Sequence, residues 1–116
     1  MPGYVPNRGD LIWLDFSPQS GHEQAGRRPA AVISPLQYNR RVGLLLVCPV
    51  TSQKKGYPFE VPIPAGLAIV GVILADQVRS LDWRSRHAAF IGRLEEETLA
   101  EVLGKLATLI EGEKAG

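Results

Sequence analysis

Between Asp10 and Phe16 polar and apolar positions alternate, and Ile12, Leu14 and Phe16 share one face. A period of two residues predicts a half-buried strand. Ala30 to Ser34 is a short apolar strand, and Gly43 to Val50 reads as a longer central one. Tyr57 to Ile63 contains Pro58 and Pro62, which restricts it to an irregular or edge position. Val70 to Ala75, extended by Gln77 to Leu81, and His87 to Leu94 complete the strand candidates. The period then changes. Leu99, Val102, Leu103, Leu106 and Ile110 recur at helical spacing and form one apolar stripe. Glu95, Glu96 and Glu97 suit the positive end of that helix, and Gly104 weakens it modestly. Short strands followed by one amphipathic helix predict a mainly β chain, a small strongly bent sheet or β-barrel with a C-terminal α-helix.

Length adds one constraint. The 116 residues fit a single domain spanning 1–116, with the barrel at about 8–94 and the helix at about 95–111. A chain of this size buries roughly 65% of its unfolded surface. The N-terminus has neither the basic nor the apolar region of a signal peptide, and no apolar run is long enough to span a bilayer. Cys48, the only cysteine, lies in an apolar run and reads as a small buried hydrophobe. These features predict a cytoplasmic protein without a membrane segment. The net charge of +1 conceals an asymmetry. Residues 1–93 carry eleven Lys/Arg against six Asp/Glu, whereas residues 94–116 carry two Lys against six Glu. A basic body permits a polyanionic partner, although scattered surface charge also serves solubility alone.

The residue inventory disfavours several chemistries. His22, His87 and one cysteine lack the spacing of a metal site, and there is no glycine-rich phosphate cradle. Neither histidine is singled out for a hydrolase triad. No metal or cofactor is therefore expected. Three polar loops remain. Ser17 to Pro29 supplies Glu23, Gln24, Arg27 and Arg28; Thr51 to Gly56 supplies two hydroxyls, Gln53, Lys54 and Lys55; Asp76 to Arg86 supplies Gln77, Arg79, Arg84 and Arg86 beside Trp83. Guanidinium groups grip phosphate oxygens and stabilise developing charge, while amides and flat side chains read or stack on unpaired bases. Composition alone favours three solvated turns over a site.

The order of four segments resembles the MazF/PemK family of toxin endoribonucleases, with the nearest likeness to its MazF branch. They are "GDLIWLDFSP" at 9–18, "EQAGRRPAAVIS" at 23–34, "VTSQKKGYPFEV" at 50–61 and "LADQVRSLDWRSR" at 74–86. The resemblance covers about residues 4–111. It implies an SH3-like (PemK-like) barrel that works as a homodimer. The implied activity is metal-independent, sequence-specific cleavage of single-stranded RNA by attack of the 2′-hydroxyl. The products are a 2′,3′-cyclic phosphate and a 5′-hydroxyl, and translation is inhibited. The implied partner is a MazE-like antitoxin with an acidic, flexible segment. By position, the resemblance assigns catalysis to Arg28, Thr51 and Glu23.

A guanidinium stays protonated at neutral pH, so Arg28 is assigned electrostatic stabilisation first and proton donation to the leaving oxygen second. Glu23 is the easier base, or alternatively orients Arg28 through an ion pair. Phe16, Gln24, Arg27, Gln53, Lys54, Gln77 and Arg86 are the RNA-binding candidates, and Phe16 equally fits the core. Trp13 and Trp83 suit packing or a dimer interface better than base stacking. Two rivals stand beside this reading: a non-catalytic SH3-like RNA- or peptide-binding module, and a gyrase-targeting toxin of the same fold.

Overall fold

The computed structural model of the chain describes residues 3–16 and 26–112. Its elements run β1 (Asp10–Asp15), β2 (Arg27–Val32), α1 (Leu36–Val42), β3 (Leu44–Thr51), β4 (Glu60–Pro62), β5 (Val72–Leu74), β6 (Arg79–Asp82), β7 (Ala89–Arg93) and α2 (Glu96–Glu111). The architecture is mainly β with a C-terminal helix, as the pattern predicts. Every strand pairing among the described residues is antiparallel. These strands form one sheet in the order β4-β5-β3-β2-β1-β7, with β6 also paired to β3.

The central strand β3 makes the bend. Its first half, Leu44 to Val47, pairs with β6, and its end, Val50 and Thr51, pairs with β5. The short stretch of β3 from Val47 to Val50 thus faces the longer stretch of chain from Ile73 to Arg79. The excess residues leave the ladder as the turn after Leu74, which pushes Asp76 and Gln77 outward, where both are exposed. The single extended strand expected over 70–81 is therefore two strands with a bulge between them.

Alternation places two apolar clusters on opposite faces. Leu11, Ala31 and Cys48 join Val61, Ile73, Val102 and Leu106 in one. Their neighbours Ile12, Ala30 and Val47 join Leu14, Phe16, Leu45, Leu81 and Trp83 in the other. β1 is therefore buried on both faces rather than one, because the sheet curls and Leu81 and Trp83 cover its second face. Trp83 also donates its indole N–H to the Asn39 carbonyl at 2.9 Å, which gives it a packing role.

The sequence pattern assigns no element to residues 36–42, yet α1 forms there. Pro35 precedes it, and Gly43 ends it with φ 83° and an N–H donated to the Asn39 carbonyl. Its buried residue is polar. Asn39 donates to the carbonyls of Pro6 and Ser34 and accepts from the Ser34 hydroxyl, so nothing in the apolar periodicity announces it. In α2 the buried residues are Thr98, Val102 and Leu106, while Ile110 is exposed. The apolar stripe thus extends past the part of the helix that the sheet covers. No helix among the described residues is long and apolar enough to cross a membrane.

Candidate active site

Strand register brings the first two functional side chains together. The β2–β3 ladder ends at the Ala30–Pro49 pair, two residues from Arg28 on one strand and two from Thr51 on the other. Arg28, Thr51 and Gln53 line a cleft of about 570 Å³ whose far wall is Ala68, Ile69 and Val70. The same three residues also line an adjoining cleft of about 160 Å³, with Lys55, Tyr57, Glu60 and Gln77. One arginine, one threonine and two amides thus face connected space.

The two arginines of the Arg27-Arg28 pair differ by one residue and therefore by one face. Arg27 lies opposite Asp15 and donates from Nη1 to its Oδ1 at 2.9 Å, while its Nη2 donates to the His87 carbonyl at 2.6 Å. Arg28 lies opposite Leu14, on the face of Phe16. Its guanidinium sits 5.9 Å from the Phe16 ring centroid, and that of Arg79 sits 5.4 Å from the same centroid. Two cations over one aromatic ring form a local positive shelf. Phe16 itself is 6% exposed and belongs to the core, with little of its ring left for a base to stack on.

Thr51 ends β3 with its Oγ1 accepting the Gln53 N–H at 3.1 Å. A hydroxyl engaged as acceptor keeps its own proton for donation. The following loop is held from beneath by Glu60, 8% exposed, whose two oxygens accept the N–H groups of Lys55 and Gly56 at 2.9 and 2.8 Å. Tyr57 donates to Asp76 Oδ1 at 2.6 Å and ties that loop to the bulge bearing Gln77. This bond to a carboxylate pushes the Tyr57 phenol pKa upward. Behind Thr51, Gly71 has φ 145°, and a Cβ there would overlap the Thr51 carbonyl oxygen. The backbone beneath the threonine comes this close because residue 71 has no side chain.

The remaining candidates scatter. Lys54 is exposed on the loop but outside the lining of both clefts. Arg86 donates to the Asp15 carbonyl at 3.1 Å and lines a separate cleft with Asp15, Phe16, Gly26 and Ser85. Glu23 and Gln24 lie outside the described residues. Sequence reasoning did not single out Glu60, Tyr57 or the wall at 68–70. For Glu60 a signal existed, since it is the only acidic residue between positions 24 and 75. For the wall there was none, because Ala-Ile-Val reads as ordinary core.

Known proteins share this fold and much of this sequence. The chain is 51% identical over 107 residues to the endoribonuclease toxin MazF of Escherichia coli K12, covering 92% of this chain and 96% of that protein. It is 35% identical over 107 residues to the Escherichia coli endoribonuclease PemK, covering 89% of this chain and 80% of that one. Its fold matches a chain of the MazE–MazF crystal structure from Deinococcus radiodurans with a TM-score of 0.89. That match has 57% identity and covers 96% of this chain and 100% of that one. Residues 7–110 match the family described as the PemK-like, MazF-like toxins of type II toxin–antitoxin systems, and the chain belongs to that family.

Proposed function

We propose that this chain is the toxin of a type II toxin–antitoxin pair, one catalytic domain that cleaves single-stranded RNA at specific sequences without a metal. The observation that carries the reading is the convergence of Arg28 and Thr51 on one cleft, in a chain whose relatives are named endoribonucleases. In the proposed reaction the RNA 2′-oxygen attacks the adjacent phosphorus. A new bond from that oxygen to phosphorus forms as the bond to the 5′-oxygen breaks, leaving a 2′,3′-cyclic phosphate and a 5′-hydroxyl. Arg28 neutralises the charge gathering on the non-bridging oxygens, and the Thr51 hydroxyl donates to one of them. Glu23 takes the 2′-hydroxyl proton, or water takes it where Glu23 orients Arg28 instead, and the leaving 5′-oxygen takes a proton from Arg28 or from water. Gln53 and Gln77 supply amides for reading unpaired bases, and Lys54 and Arg79 supply charge for the flanking phosphates.

The Deinococcus radiodurans relative is solved as a MazE–MazF assembly, so an antitoxin of that kind is the expected partner. It would cover the RNA cleft with an acidic segment that folds on binding. A homodimer acting in the cytoplasm completes the proposal.

The test is direct. Purified protein is incubated with a long RNA in EDTA and the new ends are mapped. Defined cuts bearing 5′-hydroxyl ends are expected, and Arg28→Ala should remove them while leaving the protein folded. Intact RNA despite binding would instead support a non-cutting module. Inhibition of DNA supercoiling with RNA untouched would support a gyrase toxin.

A further inference from the structure

Among the described residues, Asp15, Arg27 and His87 form a polar cluster that the chemistry above does not use. Asp15 is the last residue of β1, Arg27 is the first of β2, and they form the final register pair of that ladder. The two Asp15 carboxylate oxygens are taken by different partners: Arg27 Nη1 at 2.9 Å and His87 Nδ1 at 2.8 Å. Arg27 Nη2 also reaches the His87 carbonyl. Backbone bonds reinforce the junction, since the Asp15 N–H donates to the Arg86 carbonyl and the Phe16 N–H donates to the Gly26 carbonyl. His87 adopts φ 56°, the one non-glycine positive φ among the described residues. Such a conformation persists when surrounding contacts fix it.

We propose that Asp15, Arg27 and His87 form a positioning clamp that holds the start of β2 in register and thereby fixes where the Arg28 guanidinium meets the scissile phosphate. The clamp rests on the RNA-cleaving reading given above. Strand ends fray at little cost, and Arg28 is only the second residue of its strand. Its long side chain can act on a transition state only if its backbone origin is constrained. Ordinary cross-strand pairing cannot supply that constraint beyond Arg27, because the β1–β2 ladder ends there. The Asp15 carboxyl is held below the usual carboxylate range, first by its bond with His87 and then by Arg27, so its carboxylate is charged at neutral pH. Other charged groups near it are Arg86, on the Asp15 carbonyl, and Arg84, whose carbonyl accepts the His87 N–H.

Misplacing a catalytic group by about 1 Å lowers rate up to about a hundredfold, and a group used mainly in the transition state registers in kcat rather than KM. Cleavage of an oligoribonucleotide by the full chain should therefore lose about tenfold in kcat in Asp15→Ala, with KM changed less than about twofold. Asp15→Asn and Arg27→Lys keep part of the bonding and should recover part of the loss. An unchanged kcat in Asp15→Ala would overturn the clamp. So would a raised KM at intact kcat in Arg27→Lys, which would make Arg27 a direct RNA contact. If Asp15→Ala does not fold, the Asp15→Asn and Arg27→Lys comparisons decide. A parallel arm needs no cleavage: the backbone-amide and guanidinium NMR signals of Arg28 should move in Asp15→Asn. If the unaltered protein fails to cut RNA, the enzymatic reading falls on its own, and unmoved Arg28 signals would separately sink the clamp.

Discussion

Arg27 and Arg28 are chemically identical and adjacent, yet their environments differ completely. Strand alternation turns one toward Asp15 and His87 and the other toward Phe16 and the Thr51 cleft. The preference for Arg28 was legible in the sequence only through the family pattern, since composition cannot rank two arginines. Alternation against a buried Leu14 supplies the physical reason. Gly71 is the inverse case, a residue whose importance no motif signals. Because an added methyl would overlap the Thr51 carbonyl oxygen, Gly71→Ala must displace the end of β3. A loss of about 2 kcal/mol is expected in urea denaturation. Cleavage should fall further than stability alone explains, because the displaced residue is Thr51. A neutral Gly71→Ala would show that the backbone there is more yielding than its packing indicates.

Among elements, the long periodic ones were the most readable. β1, β3 and α2 lie where alternation or helical spacing put them, within a residue or two at each end. The failures have identifiable causes. α1 buries an asparagine instead of an apolar stripe, and the β5–β6 bulge interrupts a run whose composition is continuous. The candidate site was half legible: Arg28, Thr51, Gln53 and Gln77 converge, whereas Arg86 is bonded elsewhere. Its supporting bonds, from Glu60 and Tyr57, join residues too unlike in character for spacing to reveal. α2 also lends itself to a test of its own sequence. Gly104 is exposed, lies within the helix and leaves open space where a Cβ would go. Gly104→Ala should stabilise the fold by about 0.5–1 kcal/mol, read as a raised urea midpoint with unchanged cleavage. No gain would mean that the helix contributes little to the cooperative unit.

For the whole molecule, charge and topology point the same way. The basic excess belongs to the strand-and-loop body, whereas α2 carries four glutamates against one lysine, and its Val102 and Leu106 are buried in the cluster that also holds Val61 and Ile73. Single-stranded RNA binding should therefore weaken with salt, by a slope of about −0.7 in log affinity against log salt for each phosphate neutralised. With roughly three phosphates met by groups such as Arg28, Lys54 and Arg79, a slope of about −2 is expected. Fluorescence anisotropy with an oligonucleotide lacking the attacking 2′-hydroxyl measures it. A slope near zero would exclude phosphate contacts as the source of affinity.

The junction at Phe16 and Gly26 has a bearing on how such a protein diversifies. The two ends of the intervening segment are bonded to each other, N–H to carbonyl at 3.2 Å, directly beside the Asp15–Arg27 pair. Whatever is inserted between them starts and finishes at one place on the frame. Doubling the length of such a segment adds only about 0.6 kcal/mol of closure entropy. The frame can thus accept segments of different length and sequence at that junction while the strands carrying Arg28 and Thr51 stay in register. A change of length there is then a question of what the segment carries, Glu23 included, and not of whether the two strands keep their pairing.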